Sequence, residues 1–156
     1  MPHWIAVADV ADYLNPSTSV MSLTTDPYQR YLDPAPAGID ARWAWEGAYG
    51  TGAGMRICDV EYDYNADHTD LPAVTFVGAP KDPPYSDDHG TAVLGILAGI
   101  DNGWGVTGIA HGASIYFAAA KTTTGGYDVG NAVLECMNTL NTGDVILLEQ
   151  KAGRQK

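Results

Sequence analysis

Between Met55 and Leu148 short apolar runs alternate with longer stretches of helical spacing, and that order constrains the fold more than any other feature. Met55–Val60 (MRICDV), Val74–Val77 and Ser114–Ala119 (SIYFAA) predict strands, and Asp144–Leu148 (DVILL) predicts a final buried strand. His89–Ile100 predicts a helix with Val93, Ile96, Leu97 and Ile100 at helical spacing. Tyr127–Leu140 predicts a second helix, its apolar face holding Val129, Ala132, Val133, Cys136, Met137 and Leu140. Strand, helix, strand, helix, strand implies an α/β fold with a mainly parallel sheet and right-handed crossovers. In such sheets function gathers beyond the carboxyl ends of the strands.

The chain ahead of this region is less regular. Residues 3–14 have the spacing of a short helix. Residues 15–38 carry Pro16, Pro27, Pro34, Pro36 and Gly38 and predict an irregular linker or strap. Residues 40–49 predict a short helix with Trp43 and Trp45. The expected organisation is an N-terminal extension over 1–38, a domain over 39–150 and a polar tail over 151–156. An apolar content of 46% is that of a globular chain. The 8 basic residues against 19 acidic ones give a net charge of −11, which argues against a nucleic-acid partner, because phosphate binding needs clustered Lys and Arg. No apolar run reaches the length of a membrane span, and Met1–Val10 lacks the pattern of a signal peptide. Cys58 and Cys136 are too few for a disulfide framework or a zinc site. Both sit in apolar patterns and are read as core thiols, with a single bridge left open.

Two polar residues stand out. Asp59 falls at the carboxyl end of the first strong strand, among apolar neighbours, where it either caps a turn or serves a site. His89 opens a helix and is followed by Gly90 and Thr91; the glycine permits close approach of another backbone. A neutral imidazole is a competent general base, and a carboxylate beside it fixes its tautomer.

The stretch His89-Gly90-Thr91-Ala92-Val93-Leu94-Gly95-Ile96-Leu97-Ala98-Gly99 closely resembles the histidine motif of the subtilase family (peptidase S8), H-G-T-x-V-x-G-x-x-A. Gly105–Ala110 resembles the segment that follows it, Met55–Asp59 the strand ending in the catalytic aspartate, and Asp70-Leu71 the close of the next loop. The resemblance runs in order over about residues 39–150. It implies a three-layer subtilase-type fold, here truncated at the C-terminus, and a serine endopeptidase acting on polypeptides. Asp59 would orient His89, and His89 would act as general base and then general acid. It also implies secretion.

The sequence departs from the family in two ways. At the aspartate the family carries D-[ST]-G, whereas this chain has Asp59-Val60-Glu61, without the supporting hydroxyl and with an added negative charge. The downstream G-T-S-x-[AS] nucleophile motif and the oxyanion asparagine are absent. Ser17, Ser19, Ser22, Ser86 and Ser114 lack that context. This chain alone is therefore expected to be inactive. The alternatives are a pseudoprotease or peptide-binding fragment and, further off, a calcium-binding module.

No cofactor is required by this reading, but calcium is compatible with it. The run Asp63-x-Asn65-x-Asp67 fails the EF-hand pattern, since His68 and Val74 fill the Gly and Glu positions. The loop after the histidine helix is similar to a calcium loop of many subtilisins; that resemblance implies carbonyls of Ile100, Trp104 and Val106, the Asn102 side chain and Asp70. After Ser114–Ala119, the family's cleft edge pairs with substrate backbone. Gly125 and Gly126 fit that role or a plain turn equally. Glu149, after the last strand, hints at a polar pocket wall.

Overall fold

The computed structural model describes residues 29–82 and 87–149. The helix expected over 3–14, Ser17, Ser19, Ser22, Ser86 and the tail from Gln150 lie outside them. A parallel four-stranded sheet runs in the order β2-β3-β1-β6. Its strands are β1 (Arg56–Glu61), β2 (Val74–Val77), β3 (Ser114–Ala119) and β6 (Val145–Leu148). Helix α1 (Ala41–Trp45) precedes β1, α2 (Asp88–Ala98) lies between β2 and β3, and α3 (Val129–Thr139) precedes β6. A small hairpin, β4 (Lys121–Thr122) and β5 (Gly126–Tyr127), follows β3. The expected α/β subtilase-type sheet is therefore present.

Strand alternation divides the core into two layers. Ile57 of β1 and Ile115 and Phe117 of β3 pack with Leu94 and Ala98 of α2 on one face. Cys58 and Val60 pack with Ala118, Ala132 and Cys136 on the other, under α3. Phe117, Leu94 and Val60 are fully buried, and each such side chain contributes about 1.5–3 kcal/mol of burial. Helix α3 begins at Asp128, whose Oδ1 accepts the Asn131 N–H at 2.9 Å, the usual way an Asp satisfies a first-turn amide. Arg56 donates from Nε to Asp144 Oδ2 at 2.8 Å and so ties the start of β1 to the turn before β6.

Three expectations change. The two cysteines are joined, Cys58 of β1 to Cys136 of α3, with Cα atoms 5.8 Å apart. They occupy facing positions of one layer, which brings their sulfurs together. Strand β6 is not buried: Val145 and Leu148 are 46% and 51% exposed, because β6 pairs only with β1 among the described residues. Strand β1 continues one residue past Val60, to Glu61. Of the irregular N-terminal stretch, the described part behaves as a strap. Gln29 is buried and grips the main chain of Thr107 from both sides, donating Nε2–H to its carbonyl at 3.0 Å and accepting its N–H on Oε1 at 3.2 Å.

Candidate active site

The carboxyl end of β1 and the first turn of α2 meet, and the His-Gly-Thr sequence explains how. His89 sends Nδ1 to the Glu61 carboxylate, Oε2, within hydrogen-bond contact. Gly90 lets the chain beyond β1 pass: a Cβ there would lie 2.1 Å from the Asp63 carbonyl oxygen and 3.0 Å from Glu61 Cγ. Any side chain would push the helix off the strand end. The Thr91 hydroxyl donates to the Asp87 carbonyl at 2.6 Å and accepts the Asn65 N–H at 2.8 Å. It thus fastens the loop after β1 to the helix start.

The carboxylate at His89 is Glu61, not Asp59 as the sequence leads one to expect. The physical reason is the strand period. Ile57, Asp59 and Glu61 share a face of β1, and only the last of them reaches the rim where α2 begins. Asp59 sits mid-strand, in register with Phe117 on one side and Leu147 on the other. It is fully buried, and neither of its oxygens has a hydrogen-bond partner. Burial, then the charges of Glu61 and Glu149, push its carboxyl up to about 8. Glu61 is itself 3% exposed and also accepts the Tyr62 N–H on Oε1 at 2.8 Å. The signal that could have found it is the same alternation: two acids at i and i+2 on one face, of which the later one is nearer the carboxyl end.

The other ring nitrogen of His89, Nε2, lies 4.0 Å from Glu149 Oε2 at the end of β6, and both side chains are partly open to solvent. The imidazole therefore stands between two carboxylates, one buried behind it and one exposed before it. Asp63, next along the loop, pairs instead with Lys81, which also lies 5.4 Å from the Tyr64 ring centre. Ser114 is at the opposite, amino end of β3, level with Arg56, roughly 17 Å along the strand from the level of Glu61. It cannot serve His89.

The loop read as a calcium site is held together differently. Asp70 is fully buried; its Oδ1 accepts from Asn102 Nδ2 at 2.9 Å and its Oδ2 from the Val106 N–H at 2.7 Å. Asn102 Oδ1 takes the Trp104 N–H at 3.0 Å, and the Ile100 carbonyl takes the Asn102 N–H at 2.9 Å. Gly105 passes so close that a Cβ would sit 2.2 Å from Asp70 Oδ2. Calcium needs six or more oxygens turned toward one point. Here N–H donors occupy the carboxylate, and Asn102 turns its amide nitrogen, not its oxygen, to Asp70. In this arrangement the polar groups of the loop bond to one another. Among the described residues no group of three or more His, Cys, Asp or Glu side chains is placed to hold a metal. Titrating calcium to millimolar levels is expected to leave the thermal midpoint unchanged; a clear rise would mean the loop reorganises around the ion.

Gly125 and Gly126 close the β4–β5 hairpin, with Gly126 at φ 66°. Strand β4 is bridged by Lys81 on one side and by β5 on the other. Its edges are therefore taken, and any added strand would lie along β5.

A family model described as "Subtilase family" (Peptidase S8) matches residues 12–141. The chain is 32% identical over 80 residues to Subtilisin E of Bacillus subtilis (strain 168), covering 48% of this chain and 21% of that protein. It is 35% identical over 96 residues to Thermitase of Thermoactinomyces vulgaris, covering 58% of this chain and 34% of that one. The chain thus spans about a fifth to a third of the length of the relatives it matches. With the parallel sheet and the His-Gly-Thr helix start already on one rim, the match over most of its length means that this chain belongs to the subtilase family.

Proposed function

We propose that these residues form the part of a serine endopeptidase that supplies the general base and its orienting acid, with Glu61 in the orienting role that resemblance gives to Asp59. The observation that carries this reading is the contact between Glu61 and His89 Nδ1 at the carboxyl end of β1. A carboxylate on Nδ1 leaves Nε2 free to take a proton from a nucleophile and return it to a leaving amine. The nucleophilic serine and the oxyanion donors would come from polypeptide other than these 156 residues. The substrate would be a polypeptide chain, approaching along the rim formed by β5, His89 and Glu149.

The expected result is that the purified 156-residue chain does not hydrolyse casein. In a longer form that does, His89→Ala lowers kcat on the order of 10⁶-fold and Glu61→Gln on the order of 10⁴-fold. Full activity in Glu61→Gln would overturn the role given to Glu61. Hydrolysis by the short chain that vanishes in His89→Ala would overturn the assignment of the serine to other sequence. A non-catalytic, peptide-binding protein is the second reading, favoured by the missing D-[ST]-G; it predicts peptide binding without turnover in the longer form as well. The Cys58–Cys136 bridge supports an oxidising location, consistent with secretion.

A further inference from the structure

The carboxyl rim of the sheet sets two acids side by side. Strand β6 is in register with β1 up to Val60↔Leu148, so Glu149 comes level with Glu61, one strand away and about 4.8 Å across. Leu147 packs against the core layer that faces α2, and strand alternation returns Glu149 to that same face. Beneath the two glutamates on this face lies Asp59, whose buried oxygens have no hydrogen-bond partner. Like charges opposite one another on neighbouring strands are unfavourable, so the rim favours a cation in front of it. Four of the described cations are committed elsewhere: Arg42 to Asp33, Arg56 to Asp144, Lys81 to Asp63 and Lys121 to Asp82. Among the described residues the one ion pair of Glu149 is with His89 Nε2, at 4.0 Å and beyond hydrogen-bond reach. A general base is neutral when it accepts its proton, so His89 cannot serve as a lasting counter-charge. Among the described residues these acids are not placed to hold a metal either. The Glu149 side chain is partly open to solvent and can be reached from the cleft.

We infer that Glu149 is a specificity-determining residue: it receives the ammonium or guanidinium group of a lysine or arginine in the bound polypeptide, from a residue next to the bond that His89 attends. The inference rests on the cleft reading proposed above. Nε2 is the nitrogen that takes the proton of a nucleophile, so a carboxylate 4.0 Å from it stands beside the reacting peptide bond. A lysine carries a compact charge on a flexible four-carbon stem, and an arginine offers a planar fork that matches a carboxylate. Either one relieves the repulsion between Glu149 and Glu61. An aspartate or glutamate at the same place adds to that repulsion and is rejected.

The experiment titrates the full 156-residue chain with short, end-blocked alanine peptides that carry lysine, norleucine or glutamate at the centre. Binding is read from the His89 ring resonances by NMR, assigned with His89→Ala, and circular dichroism confirms the fold of each variant. The lysine peptide is expected to shift the ring and to bind about fivefold more tightly than the norleucine peptide, as fits a partly exposed ion pair. The glutamate peptide binds most weakly. Sodium chloride at about 0.5 M narrows these differences. Glu149→Gln brings the lysine and norleucine peptides within about twofold of each other, and Glu149→Lys makes the glutamate peptide the preferred one. Glu46→Gln removes the same charge from the exposed end of α1 and keeps the full lysine preference. That variant separates a local contact from the net charge of −11. A lysine preference that is absent, that survives in Glu149→Gln, or that falls equally in Glu46→Gln overturns the inference and leaves the cleft reading standing. If no peptide shifts the His89 ring, the cleft reading fails and the inference falls with it. Should Glu149→Gln not fold, Glu149→Lys decides.

Discussion

Reduction of the Cys58–Cys136 bridge is expected to lower the unfolding free energy by about 3–4 kcal/mol. The bridge closes a loop of 78 residues, and loop-closure entropy for that length comes to roughly 4.5 kcal/mol. Part of this is lost to residual structure in the unfolded chain. Both cysteines are fully buried, in the layer between β1 and α3. Reduction leaves the two thiols in place and opens no large cavity, so the change isolates the crosslink. Cys136→Ala should add only a small packing loss. The check is urea unfolding with and without dithiothreitol. A difference below about 1 kcal/mol would mean that the β1–α3 contact is kept in the unfolded chain and that the bridge adds little. The position matters for chemistry too. Cys58 is three residues before Glu61 on the same strand, so the bridge pins the strand that presents the acid to His89.

Asp59→Asn is expected to stabilise the chain, and only at higher pH. The folded Asp59 carboxyl sits near 8, against 3.8 in the unfolded chain. The native state therefore binds a proton that the unfolded state releases. Stability falls as pH rises from about 4 and levels off above about 8. Asn carries no such proton, so its stability stays flat over that window. Leaving a buried amide without full hydrogen bonding offsets part of the gain. The net expectation is little difference, or a small loss, at pH 4, and a gain on the order of 2–4 kcal/mol by pH 8. Denaturant midpoints measured across that range check it. A variant that is destabilised equally at pH 4 and pH 8 would show that Asp59 is charged and partnered in the native state. Folding at neutral pH should also take up about one proton, which calorimetry in buffers of differing ionisation enthalpy reads directly.

Much of the architecture was legible because apolar runs and turns punctuate this chain cleanly. Val74–Val77 and Ser114–Ala119 form strands with the bounds their composition suggests. The histidine helix starts within a residue of its expected position. The errors have one cause: a sequence shows which residues avoid water, but not which neighbours they meet. DVILL is apolar enough to be a central strand, yet β6 has a partner on one side only among the described residues. Cys58 and Cys136 each look like ordinary core residues until the sheet and α3 are stacked. Asp59 carries the stronger resemblance, but the geometry favours Glu61, because a shift of two positions along β1 keeps the face and changes the depth. Such a shift leaves the pattern of polar and apolar residues intact, so periodicity alone does not resolve it.

The place of β1 at the centre of the sheet bears on how the chain is made. Its pairing with β6, and the Arg56–Asp144 tie beside it, join residues 88 positions apart. At synthesis rates of 5–20 residues per second, β1 waits roughly 4–18 s for that partner to emerge. Strand β3 emerges earlier, 58 positions after β1, and covers one edge; the other stays open until β6 arrives, and an apolar strand with an open edge is the sort of segment that recruits neighbouring chains. Asp59 and Glu61 both bear charge in the unfolded chain at neutral pH, and two like charges on alternate residues oppose in-register stacking of identical strands. The acid whose carboxyl burial pushes up to about 8 in the folded protein thus carries, before folding, a charge that opposes such stacking.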